Sequence, residues 1–154
     1  AKEFHRLFME DGVNKILTIE ASGIAIGALV VEEFGCPLVF AKKTKTKNIA
    51  GDVYTSKVES FTHGTTYDIL VSKRFLDEND KILIVDDFLA VGNALNGLIE
   101  LVEKSGAQLA GCGVAIEKGF QHGGDKLRER GIKVESLAIV ESMDHETGQV
   151  YFRK

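Results

Sequence analysis

Proline, cysteine and long apolar runs are scarce in this chain, and each scarcity removes a class of protein. A single proline among 154 residues, with no low-complexity tract or internal repeat, leaves no candidate linker. At 44% apolar residues the length suits one compact core, so residues 1–154 are expected to form a single domain. No run of about 18 apolar residues exists, which excludes a helix crossing a membrane. The opening "AKEFHRLFMEDGVNK" is charged throughout and holds no secretory apolar region. Cys36 and Cys112 have neither metal nor redox spacing and lie beside apolar segments. They read as reduced core thiols, which points to the cytoplasm. His5, His63, His122 and His145 form no metal spacing either. A net charge of −4 argues against general nucleic-acid binding.

What is present is unevenly placed. The run "AKKTKTK" gathers Lys42, Lys43, Lys45 and Lys47, either as a solvated loop or as a place that meets an anion. The chain opens without methionine on Phe4, Leu7 and Phe8, spaced as one helix face, so residues ahead of Ala1 are expected.

Periodicity predicts a helix over about 2–11, stopping at Gly12, and a short strand "KILTIE" ending at Glu20. A helix over 24–34 should stop at Gly35, and "PLVFAKK" should be a strand opening on Pro37. Residues 44–51 read as a loop, and 52–61 and 66–73 as two antiparallel strands joined across "THGT". Next come a strand "KILIV", a helix over 93–105 and a strand "LAGCGVAI". A polar helix "GGDKLRERG", a strand "KVESLAIV" and an edge strand "GQVYFRK" complete the order. Strands alternating with helices predict an α/β fold: a mainly parallel central sheet flanked by helices, with an antiparallel hairpin inserted midway.

The stretch "KILIVDDFLAVGNALNGLIELVEKSG" carries the sharpest signal. Its apolar strand closes at Val85 on two carboxylates, Asp86 and Asp87, and Gly92 follows before a helix whose Leu95, Leu98, Leu101 and Val102 share a face. Ligands of open parallel sheets bind where strands end and helices begin. Unpaired N–H groups and the positive end of the dipole make such a helix start an anion site. Gly92 lets the backbone approach a phosphate, and Asn93 can cap the helix. A phosphate on the N–H groups with sugar hydroxyls on Asp86 and Asp87 describes a phosphorylated sugar. The plain alternative is that the aspartates only initiate the turn, although one would suffice and two adjacent like charges repel. A phospho-receiver domain is excluded, because the pair follows several strands and the next aspartate, Asp125, lies in a polar helix.

"ILIVDDFLAVGNA" resembles the phosphoribosyl-pyrophosphate (PRPP) motif of the type I phosphoribosyltransferases, "TIEASGI" their pyrophosphate loop and "EKGFQ" their purine-side loop. Within that family the chain most resembles the bacterial enzymes that use xanthine. The resemblance implies the type I phosphoribosyltransferase fold and transfer of a ribose phosphate from PRPP to xanthine, giving XMP and pyrophosphate with magnesium. It implies a cytoplasmic homodimer in purine salvage that binds neither membrane nor nucleic acid. It assigns Asp86 and Asp87 to ribose binding and electrostatic support, with no direct metal ligand. Ala90, Val91, Gly92, Asn93 and Ala94 are to hold the 5′-phosphate. Val91 stands where the family usually has Thr, which removes one hydroxyl donor.

Ala21, Ser22 and Gly23 are to contact pyrophosphate, although on local sequence Ser22 reads equally as a helix cap. Lys42 and Lys43 would neutralise departing pyrophosphate, in the same subunit or across a dimer. The loop 44–52 is then a lid, or simply a surface loop. Lys118 and Phe120 are to read the purine, though Phe120 alone reads as core. In the family a segment ahead of the first core helix hoods the base, and its counterpart is expected ahead of Ala1. A guanine or hypoxanthine enzyme, or a purine-responsive regulator that binds PRPP without chemistry, are the alternatives.

Overall fold

The computed structural model describes residues 1–44, 51–60, 65–144 and 146–153. In chain order these form α1 (Lys2–Phe8), β1 (Lys15–Ile19), α2 (Ser22–Phe34), β2 (Leu38–Thr44), β3 (Val53–Ser60) and β4 (Thr65–Ser72). They continue with β5 (Lys81–Leu89), α3 (Asn93–Ser105), β6 (Gln108–Lys118), a 3₁₀ turn (Gly119–Gln121), α4 (Gly123–Glu129), β7 (Val134–Met143) and β8 (Val150–Phe152). The strands make one sheet in the order β3-β4-β2-β1-β5-β6-β7-β8. From β2 to β7 the ladder is parallel, while the β3–β4 hairpin and β8 add antiparallel edges. Both the inserted hairpin and the final edge strand lie where periodicity placed them.

The unbroken apolar run of β5 follows from cover on both faces. Ile82 and Ile84 join the cluster built with Leu95, Leu98, Ile99 and Val102 of α3. Leu83 and Val85 face the other way, into a cluster with Phe4 and Phe8 of α1 and Val30 of α2. Gly111 and Gly113 of β6 make room for that second layer, since a Cβ on them would stand 2.7 Å from the Phe8 ring and 2.9 Å from the Phe4 ring. Among the described residues no helix is long and apolar enough to cross a membrane.

Several boundaries and caps differ from the sequence reading. Helix α1 ends at Phe8 rather than near residue 11, and the chain turns through Gly12 at φ 68°. There the Lys133 ammonium donates to the Leu7 carbonyl at 2.8 Å and pairs with Asp11. β5 runs on to Leu89, so Asp86 and Asp87 are strand residues, held by the ladder to β6 through Leu89 and Glu117. β6 runs on to Lys118 rather than Ile116. Gly92, in the left-handed region at φ 92°, is the N-cap of α3, and no side chain caps that end. Asn93 instead donates its amide to the Glu59 carbonyl on β3 at 2.9 Å. Ser22 likewise lies inside α2 and caps nothing; Ala21 is its N-cap.

Candidate functional site

The C-terminal ends of β1, β2, β5 and β6 meet at one edge of the sheet and carry nearly every residue of chemical interest. Asp86 is only 4% exposed. Its Oδ1 accepts the Asp87 backbone N–H at 2.9 Å, and Asp87 Oδ1 accepts that of Phe88 at 3.0 Å. Burial pushes the Asp86 carboxyl up to about 7. The accepted N–H and the Lys43 charge oppose the rise, and the neighbouring Asp87 adds to it. A carboxylate kept this dry, at a strand end, can exchange a proton near neutral pH.

Gly23, in the first turn of α2, lies directly against this group. A Cβ there would come within 3.1 Å of Asp86 Oδ1 and collide with the Thr18 hydroxyl. That buried hydroxyl has no hydrogen-bond partner among the described residues. The Glu20–Ala21 peptide that leads into this turn is cis, and Ala21 and Ser22 are exposed. Glu20 joins the turn to β2 by accepting the Lys43 backbone N–H at 2.6 Å.

Lys43 and Lys42 point apart, as neighbours on a strand must. The Lys43 ammonium lies 5.5 Å from the centre of the Tyr67 ring, while Lys42 lines a separate apolar groove with Leu38, Phe40, Leu70 and Phe75. Of the two, it is the Lys43 charge that acts on Asp86. Lys45, Lys47, His63 and His145, the "THGT" turn apart from Thr65, and most of the expected lid over 44–52 lie outside the described residues.

Beyond the acidic pair the chain turns through Ala90, Val91 and Gly92 into α3. This turn, with Asn93, Ala94, Tyr67 and Phe88, lines a pocket of about 180 Å³. Asn96 fixes it from below: its backbone N–H donates to the Gly92 carbonyl at 2.9 Å and its side-chain amide at 3.0 Å. The first-turn N–H groups of α3 and its dipole face the pocket mouth, the arrangement that holds a phosphate.

The Lys118 ammonium lies 5.6 Å from the Phe88 ring. Phe88 and Phe120 are 48% and 40% exposed, so neither ring belongs to the core. Both present faces on which a planar base can stack. Among the described residues no group of three or more His, Cys, Asp or Glu could hold a metal ion.

Tyr67 and Phe88 escaped sequence reasoning. Tyr67 occupies an ordinary alternating position in "TTYDILVS", and only the packing of the hairpin against α3 brings it to the pocket. Burial raises its phenol above the ordinary value, and the negative charge on Asp86 adds to the rise.

The family model for a phosphoribosyl transferase domain matches residues 1–152. The chain belongs to the phosphoribosyltransferase family. It is 59% identical over 152 residues to the xanthine phosphoribosyltransferase of Lachnoclostridium phytofermentans, covering 99% of this chain and 78% of that one. It is 55% identical over 144 residues to the xanthine phosphoribosyltransferase of Ruminiclostridium cellulolyticum, covering 94% and 76%. Among solved structures it is similar to the APRTase of Giardia lamblia complexed with 9-deazaadenine, with a TM-score of 0.80 at 27% identity, over 92% of this chain and 77% of that one. A phosphoribosyltransferase must bind a phosphorylated, pyrophosphorylated sugar.

Proposed function

We propose that this phosphoribosyltransferase transfers the 5-phosphoribosyl group of PRPP to xanthine, forming XMP and pyrophosphate. A ring nitrogen of the base bonds to C1 of the ribose. The bond from C1 to the pyrophosphate oxygen breaks with its electron pair leaving on pyrophosphate, and the nitrogen gives up its proton. Positive charge grows on the ribose as that bond lengthens, as in glycoside transfer. Asp86 and Asp87 hold the ribose hydroxyls and stabilise that charge. With its carboxyl raised to about 7, Asp86 can also accept a proton. The backbone from Ala90 to Ala94 cradles the 5′-phosphate, and its N–H groups serve where Val91 offers no hydroxyl. Ala21, Ser22 and Gly23 receive the pyrophosphate, and Lys43 neutralises it as it leaves; Lys42, turned to the apolar groove, fits that role less well.

Magnesium binds through water and phosphate oxygens with one or two carboxylates rather than in an all-protein cage. That habit fits a site with an acidic pair and, among the described residues, no larger ligand cluster. It would neutralise pyrophosphate charge, with Asp86 and Asp87 within reach through water. On the base side, Lys118 supplies a cation to the keto oxygens of xanthine, and Phe88 and Phe120 supply stacking faces.

The observation that carries the reaction is the acidic pair, buried Asp86 with half-buried Asp87, beside the Gly92 turn; the choice of base rests on relatives 52–59% identical over nearly the whole chain and named for xanthine. A regulator that binds PRPP without chemistry finds no support in those relatives, which are named as enzymes. The structural neighbours named for adenine match at 27% identity or below and bear on the fold. A cytoplasmic homodimer belongs to the same proposal. The double substitution Asp86→Asn, Asp87→Asn tests it: turnover should disappear while circular dichroism and the unfolding transition stay cooperative. Turnover retained in that variant would remove the pair from the ribose site.

A further inference from the structure

Glu117 is 0% exposed, carries a charge and faces no substrate in the reading above. Arg128 of α4 grips it with both prongs, Nη1 to Oε1 at 3.0 Å and Nη2 to Oε2 at 2.7 Å. The Ser136 hydroxyl donates to Oε2 at 2.5 Å, and Arg128 Nε reaches the Val134 carbonyl at 3.1 Å. Burial pushes the Glu117 carboxyl up, but these hydrogen bonds outweigh it and leave the group below its ordinary range. Desolvating such a pair consumes most of what its attraction returns, so it is weak evidence of stabilisation. What a two-pronged ion pair does supply is a fixed geometry.

The geometry it fixes is that of α4. Gly124 backs onto the Glu117–Arg128 pair, where a Cβ would stand 2.8 Å from Arg128 Nη1. The preceding Gly123 backs onto the phosphate turn, where a Cβ would stand 2.6 Å from the carbonyl carbon of Val91 and 2.8 Å from the Gly92 nitrogen. Two consecutive glycines thus wedge the start of α4 between the buried pair and the Ala90–Gly92 backbone. Just past the far end of the helix, Arg130 donates to Asn96 Oδ1 at 2.6 Å, and Asn96 holds the Gly92 carbonyl. Glu117 itself stands in register with Leu89, the residue before the turn.

We propose that Arg128, acting through Glu117, is a positioning residue for the phosphate turn: the pair seats α4 so that Gly123 supports Ala90–Gly92 in the shape that receives the 5′-phosphate. This rests on the phosphoribosyltransferase reading of the site. It explains why a pair with little net stabilisation lies beside, yet outside, the pocket.

The test compares wild type with Arg128→Met and Arg128→Lys, well below their unfolding temperatures. PRPP affinity is read by calorimetry, kcat and KM by pyrophosphate release, and Tm in parallel. Misplaced positioning elements can lower kcat/KM by about 100-fold, and the loss here should fall mainly on KM and Kd for PRPP. Lysine keeps the charge without the fork. Arg128→Lys is therefore expected to recover Tm but not PRPP affinity. Variants that bind PRPP like wild type while only Tm falls would overturn the proposal. Should the Arg128 variants fail to fold, Ser136→Ala removes one hydrogen bond from Glu117. It should weaken PRPP binding in the same direction by less, and unchanged binding overturns the proposal equally. Wild type that binds no PRPP would remove the functional reading and this inference together, whereas normal wild-type binding with unaffected variants removes this inference alone.

Discussion

Exchanging Asp86 for Asn keeps the shape of the side chain and its acceptor oxygen for the Asp87 N–H, and removes the ionisable proton. In the folded protein the carboxyl holds that proton up to about pH 7, while in the unfolded chain it leaves near the ordinary 3.8. Between those values the folded state binds more protons than the unfolded state, so stability falls as pH rises. The accumulated loss is about 4 kcal/mol above pH 7, and it vanishes below the unfolded value. Asp86→Asn lacks this loss. Its unfolding free energy without ligand should exceed that of wild type by a few kcal/mol at pH 8, with the gap narrowing steadily towards pH 4.5. Turnover should collapse in the same variant, since the charge that destabilises the empty site is the one proposed to meet the ribose. Urea unfolding at four or five pH values reads the gap directly. No gain at pH 8, or a gain that does not change with pH, would refute the view that Asp86 is held in a desolvated, functional state.

Lys118→Ala should raise KM for xanthine by about tenfold to a hundredfold, the worth of one charged hydrogen bond, while PRPP affinity stays nearly unchanged. Equal losses for both substrates would move Lys118 out of the base pocket. Phe8→Ala should lower unfolding free energy by about 3–5 kcal/mol, because its ring fills the space left by Gly111 and the site cannot collapse around a strand already made narrow. A loss under about 1 kcal/mol in urea unfolding would contradict that packing, since it is no more than a volume-conserving swap costs.

The legible parts of this protein were those written locally. The run Ile82–Val85 followed by Asp86, Asp87 and Gly92 states a buried strand, an acidic pair and a turn within eleven residues, and the structure places them together. Gly35, at φ 62°, ended its helix as expected. What stayed hidden depends on partners far along the chain. Asn93 read as a cap because nothing nearby shows that the Glu59 carbonyl lies within reach of its amide. β6 read two residues short because its apolar run ends at Ile116 and nothing local shows that Arg128 and Ser136 allow Glu117 to be buried. Gly111 and Gly113 carried no evident reason until the rings of Phe4 and Phe8 lay over them. Tyr67 reached the pocket through the hairpin, at a position that alternation alone leaves indistinguishable from its neighbours.

The central claim is the reaction and its base, and a steady-state assay tests it most directly. PRPP and magnesium would be offered with xanthine, guanine, hypoxanthine or adenine in separate reactions, following pyrophosphate release. The account predicts turnover led by xanthine, with XMP as the product. Measurable PRPP binding without turnover of any base, or turnover led by adenine, would contradict it.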